Sequence, residues 1–176
     1  MRGLQRSECD AGLSAGVNML LDPASMRTIA VAGFTSVRGR SHTFDVRADG
    51  YSRGEAIDIA ACGRSGSETA GQVLGSAVRQ DGRSASLTAP NGQAQQGVLM
   101  ASLVDAGPAA ENLAALAAHG TGTALGGPIE MAAMSAVSRP LCWAAPWPSR
   151  TRKARTGPTE AGAGPAGARR PIALAR

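Results

Sequence analysis

The sequence predicts an α/β fold. Strand-like apolar runs alternate with helical segments along the chain, the order of an α/β domain. A polar, glycine-rich pentapeptide directly follows one of those runs, and α/β proteins place sites at the carboxyl ends of their strands. The 176 residues, 43% of them hydrophobic, suffice for a core. Only 3% are aromatic, so that core must rest on Ala, Val, Leu and Met.

Residues 4–10 are expected to close a helix. Residues 11–21 are apolar and are expected to form a buried strand running into a turn at Asp22-Pro23. Residues 24–33 are weakly helical and stop at Gly33. Residues 37–49 look like a loop, and residues 56–72 have no clear period before the turn cluster Gly63-Arg64-Ser65-Gly66-Ser67. Residues 73–78 are a candidate buried strand. Asn91 is suited to cap a helix over 93–106, with Val98, Leu99, Leu103 and Ala106 on one side and Gly107 as its stop. A short apolar run over 113–118 ends at His119. Pro128 then suits the first turn of a helix over 129–137. Periodicity is lost after Pro140.

Charge and cysteine content narrow the function classes. Residues 1–137 carry 10 Arg against 12 Asp and Glu, whereas residues 138–176 carry 7 Arg and 1 Lys against 1 Glu. The basic balance therefore belongs to the tail, which reads as a solvated segment; nonspecific nucleic-acid binding is the other use of such a tail. Cys9, Cys62 and Cys142 are far apart and form no C-x-x-C pair, which argues against a zinc site or a disulfide framework. Each is expected to be a small buried apolar residue. Acidic Glu8 and Asp10 stand where a signal peptide would be basic, and no apolar run reaches transmembrane length. A reducing, cytoplasmic setting is the expectation, with a plastid as the other option.

The pentapeptide is His119-Gly120-Thr121-Gly122-Thr123, followed by Leu125-Gly126-Gly127-Pro128-Ile129-Glu130. Its glycines fall at 120, 122 and 126. A dinucleotide-binding G-x-G-x-x-G needs one at 125, where leucine stands. No Gly-Lys-Ser/Thr occurs, so a phosphate-binding Walker loop also fails. What remains is an imidazole and two hydroxyls on a loop that a substrate can approach closely.

This run resembles the H-G-T-G-T-x-L-G-D-P-I-E motif of β-ketoacyl synthases, in particular the ketosynthase domains of modular type I polyketide synthases. Three further stretches resemble the same family in the same order. They are Ser7-Glu8-Cys9-Asp10 to Gly16-Val17-Asn18, then Thr43-Phe44-Asp45 through Asp49-Gly50-Tyr51-Ser52-Arg53-Gly54-Glu55, then Gly75-Ser76-Ala77-Val78-Arg79-Gln80-Asp81-Gly82-Arg83-Ser84 with Leu87-Thr88-Ala89-Pro90-Asn91-Gly92. The resemblance implies a thiolase-like layered fold, present in part: the end of its N-terminal half and the start of its C-terminal half. Residues 1–137 are thus expected to be a partial ketosynthase domain. Residues 138–176 form a basic Pro/Gly/Ala-rich tail with a weaker likeness to the family's K-x-N-x-G-H region.

The resemblance also implies a chemistry. Ketosynthases join carbon chains by decarboxylative Claisen condensation of acyl and malonyl thioesters, carried on the phosphopantetheine of an acyl carrier protein, and they act as dimers. No other cofactor or metal is implied, and no membrane. His119 matches the first family histidine, expected to hydrogen-bond the malonyl thioester carbonyl, where negative charge grows. Thr121 and Thr123 match the substrate-side threonines near the carrier-bound arm. The nucleophilic cysteine of the family lies in a T-A-C-S-S-type motif, which this sequence does not contain. In the stretch matching K-x-N-x-G-H-x-E, Lys153 and Glu160 match and Pro158 replaces the second histidine; proline cannot donate a hydrogen bond. Ala117 and Gly127 replace a Glu and an Asp. His42 lies in a variable loop and is expected at the surface. The chain by itself is therefore expected to be inactive in condensation. A non-catalytic association partner or a basic-tailed nucleic-acid-binding protein is the alternative.

Overall fold

The computed structural model describes residues 2–64, 71–86, 88–107, 116–138 and 149–150. Its elements are α1 (Arg2–Gln5), β1 (Ala11–Asn18), α2 (Pro23–Val31), β2 (Ala56–Gly63), α3 (Gly92–Ala106), β3 (Leu116–Ala117), α4 (Gly126–Ser138) and β4 (Ser149–Arg150). Strands β1 and β2 pair antiparallel, with Ala11 opposite Gly63 and Asn18 opposite Ala56. Strands β3 and β4 pair in parallel. Helices α3 and α4 pack on each other.

Local chemistry sets the helix ends. Asp22 is an N-cap rather than part of a free turn: its carboxylate accepts from the N–H groups of Ala24 and Ser25, and Pro23 occupies the first turn. Helix α3 is where its cap predicts. The Asn91 side-chain oxygen accepts from Gln93 N at 3.0 Å and Ala94 N at 3.2 Å. Its amide donates to the carbonyls of Asp81 and Arg83, tying the preceding loop to the helix start. Gly107, at φ 62°, closes the other end. Val98, Leu99, Leu103 and Ala106 are covered in part, whereas Met100 and Val104 face out. The buried apolar residues among those described are Ala133, Met134 and Val137, all on α4.

Four sequence expectations are corrected. Helix α1 ends at Gln5, and residues 6–10 are turn and bend instead of helix. Strand β1 forms but is not buried. Leu13, Ala15 and Val17 share one face with Ile57, Ile59 and Ala61, and that face is open, with Leu13 78% and Ile57 66% exposed. The opposite face carries the better-covered Gly16, Asn18 and Asp58. Residues 73–78 are not a strand. A Cβ on Gly75 would lie 2.5 Å from both Ala106 N and Ser102 O, and Ser76 N donates to Asp105, so this segment lies against α3 instead of joining a ladder; Val78 is 96% exposed. Finally, Cys9 is exposed and Cys62 half-buried, so neither is a core residue; Cys142 lies outside the described residues.

The 34–54 segment folds back on itself. Tyr51 N donates to Phe34 O and Ser36 N to Tyr51 O, around a parallel bridge between Thr35 and Tyr51. Asn18 Nδ2 donates to Gly54 O at 2.6 Å, and Glu55 accepts from Leu20 N, anchoring the segment to the end of β1. Arg47 donates two side-chain hydrogen bonds and one backbone bond to Asp45, holding that carboxyl well below the usual carboxylate range. A depressed carboxyl contributes its stability above the unfolded value and loses it only as pH falls through the lower folded value.

Asn91→Ala removes the cap and orphans two helix N–H groups. It should cost about 1–2 kcal/mol in urea unfolding, against a few tenths for Asn91→Gly, which leaves those N–H groups open to water.

Candidate active site

The pentapeptide forms the loop between β3 and α4. Glu130, in the second turn of α4, reaches back beneath it. Its two carboxylate oxygens accept from the backbone N–H groups of His119 and Gly120, the second at 2.8 Å. Both bonds involve a charged acceptor and so are stronger than neutral ones. The start of α4 is joined to the loop again by Gly127 N, which donates to Thr123 O at 3.2 Å.

From the other side the 41–50 stretch presses on the loop at backbone distance. Gly50 N donates to Gly122 O at 3.1 Å, and the Thr43 hydroxyl donates to Gly120 O at 2.5 Å. Gly122 has φ 77°, and a Cβ there would lie 2.9 Å from His42 N. Gly50 has φ 130°, and a Cβ there would meet the backbone of residues 34–36 at 2.6–2.7 Å. Only glycine fits either position. His42 is thus more than a surface residue, since its backbone is one wall of this contact.

Above the loop lies a cavity of about 420 Å³. Val98, Leu99, Leu116, Ala133 and Met134 make its apolar side. His119, Thr121, Thr123, Gln95 and Glu130 supply the polar groups. The three site residues expected from the sequence are therefore brought together on one wall. His119 is exposed, and the two threonine hydroxyls lie 3.5 Å apart. An apolar pocket with a few convergent polar groups suits a small ligand that has both an apolar stretch and hydrogen-bonding groups. Neither described cysteine lines it. Lys153, Pro158 and Glu160 lie outside the described residues.

In the sequence, Glu130, Thr43 and Gly50 stand only within the family-like stretches, with no role of their own implied by the resemblance. Glu130 sits eleven residues from His119, a local signal that a backbone clamp would leave. Thr43 and Gly50 act across more than 70 residues, and no short-range pattern reveals such a contact.

Residues 70–173 match the family described as beta-ketoacyl synthase, C-terminal domain, and residues 1–60 match beta-ketoacyl synthase, N-terminal domain. The chain belongs to the β-ketoacyl synthase family. A phenolphthiocerol/phthiocerol polyketide synthase protein of Mycobacterium tuberculosis is 39% identical over 173 residues, which is 94% of this chain and 9% of that protein. The spectinabilin polyketide synthase system protein NorA' of Streptomyces orinoci is 40% identical over 142 residues, 77% of this chain and 4% of that protein. The ketosynthase from module 6 of the bacillaene synthase of Bacillus subtilis 168 superposes with a TM-score of 0.91 at 29% identity, over 98% of this chain and 32% of that one. The oxazolomycin ketosynthase domain OzmH KS7 of Streptomyces albus JA3453 gives 0.89 at 28% identity, over 98% and 31%. The chain thus spans about a third of the solved ketosynthases and under a tenth of these synthases. It has part of the thiolase-like fold expected from its motifs, across the junction of the two ketosynthase domains. No described helix is long and apolar enough to cross a membrane.

Gly122→Ala should destabilise the chain by about 1–2 kcal/mol for the left-handed backbone alone, and by more through contact with His42. Gly12→Ala, with open space and ordinary φ, should stay within about 0.5 kcal/mol. Urea midpoints of the two variants check the difference.

Proposed function

We propose that this chain supplies the malonyl-side half of a ketosynthase site, and that by itself it does not condense. The observation that supports this most is the meeting of His119, Thr121 and Thr123 on one wall of an apolar cavity, on a loop held from both sides.

In this reading the threonine hydroxyls hydrogen-bond the pantetheine arm of a carrier-bound malonyl thioester. The arm's methylene stretches lie along Val98, Leu99 and Met134. The His119 imidazole donates to the thioester carbonyl. As carbon dioxide leaves, the electron pair moves into the enolate, and that hydrogen bond strengthens as charge grows on the oxygen. The family's next step, attack on an acyl-cysteine, needs a thiolate from a T-A-C-S-S-type motif, which these 176 residues do not contain. Loss of an acid–base group such as the second histidine costs a further factor of about 10²–10⁴. Acyl carrier protein and a second ketosynthase chain are the expected partners.

The test is binding first, then turnover. A malonyl-pantetheine analogue with the thioester sulfur replaced by methylene should bind the 176-residue chain. His119→Ala should weaken it about threefold to tenfold, the worth of one net hydrogen bond. Analogue affinity that ignores His119→Ala would refute the assignment. With radiolabelled malonyl-carrier and an acyl thioester, the chain alone should give no 3-ketoacyl product; detection of that product would contradict the proposal.

A further inference from the structure

Both peptide groups flanking Gly120 are held by side chains from elsewhere in the fold. Glu130 takes the N–H of the 119–120 peptide at 2.8 Å. Thr43 gives its hydroxyl proton to the carbonyl of the 120–121 peptide at 2.5 Å, across 77 residues of sequence. Gly120 itself has φ 55° and is buried, and it sits between the imidazole of His119 and the hydroxyl of Thr121. Rotation of either flanking peptide would swing one of those side chains out of the cavity wall. Moreover, Thr43 lies in the stretch that matches the N-terminal domain, whereas Gly120 lies in the C-terminal match.

We propose that Thr43 is a positioning residue for His119 and Thr121, so that a loop of one ketosynthase domain sets the histidine geometry of the other. The importance of that geometry for thioester binding rests on the functional reading above; the clamp itself does not. Its neighbours fit the role. Gly50 N braces Gly122 two residues further on, and Ser52 N bonds the buried Ser41 hydroxyl, so Thr43 stands on a loop that is itself fixed. Glu130 and Thr43 complement each other, one an acceptor for N–H and one a donor to C=O. Together they leave the Gly120 backbone without an open polar group on either side.

The decisive comparison is Thr43→Val, which keeps the shape and removes the hydroxyl, against Thr43→Ser, which keeps the hydroxyl. NMR of the full chain reads the His119 ring signals and the exchange rates of the His119 and Gly120 amides. The amides of Gln93 and Ala94, on the separate Asn91 cap, serve as the reference for intact fold. Thr43→Val should speed exchange of the two loop amides about fivefold to tenfold, the worth of one hydrogen bond, and should shift the His119 ring signals. Thr43→Ser should restore both. Glu130→Gln acts from the opposite side. An amide offers one oxygen where the carboxylate offered two, so one of the two loop amides should lose protection and the same ring signals should move. If Thr43→Val leaves loop and ring unchanged, or Thr43→Ser behaves like Thr43→Val, the proposal fails. Should Thr43→Val also free the reference amides, the serine and glutamine variants decide. A ring signal that ignores Glu130→Gln and shifts in Thr43→Ser overturns the proposal; the reverse supports it. The methylene analogue separates the two claims. If it fails to bind the wild-type chain, the functional reading falls, and the exchange and ring signals still decide the clamp.

Discussion

The constraint on which the site depends is the close approach of two loop backbones, residues 41–50 and 119–123. Gly50 N reaches Gly122 O, and Gly122 lies against the His42 backbone. A contact of this kind demands glycine at 122, and it hides polar peptide groups that must then be paired. The remaining features of the site answer that demand. Thr43 satisfies the Gly120 carbonyl, and Glu130 satisfies two N–H groups on the far side. The loop that carries His119 is consequently held from both sides by the fold's own groups.

What the sequence made legible is what local chemistry controls. Asn91 and Gly107 bracketed α3 to within a residue because a cap and a left-handed stop act over three or four positions. Pro128 marked the first turn of α4, although the helix begins at Gly126, ahead of the expected 129–137. The cavity wall of His119, Thr121 and Thr123 was legible because its members sit together in one short motif. Residues 73–78 misled because an apolar run can satisfy its period by lying on a helix, as Gly75 does against Ser102 and Ala106. The exposure of Leu13, Val17, Ile57 and Ile59 was not legible either, since alternation announces an apolar face and says nothing about what covers it. Thr43 was invisible as a contact because its partner lies 77 residues away.

Two departures from the family pattern have different structural meanings. At Gly127, where the motif that this run resembles has Asp, a Cβ would meet only Phe44 Cδ1 at 3.9 Å. A Cβ there makes only an ordinary contact, so crowding at that atom does not explain the glycine. Any cost is conformational and small, since Gly127 stands in the first turn of α4 and not in its interior. Yet Glu130 lies three residues on and retains its hold on the loop, so the clamp survives the change. The absence of a T-A-C-S-S motif is of another kind. It concerns a chemical group, and no described cysteine contributes to the cavity that His119 lines.

In the proposed reading, positioning and covalent chemistry draw on different stretches of sequence. The backbone contact, the glutamate and the threonine orient an imidazole and two hydroxyls with groups that are all present in the 176 residues. The thiolate chemistry depends on a residue in a different stretch of the family's fold. In the proposed reading a loop prearranged in this way could hold a thioester without condensing it, since hydrogen bonds to a ground-state carbonyl do not require the nucleophile that follows. The same reasoning explains why Thr43 and Glu130 belong with the site although neither is expected to touch the reacting carbon. Each fixes one peptide of Gly120, and between those two peptides hang the side chains that would meet the substrate.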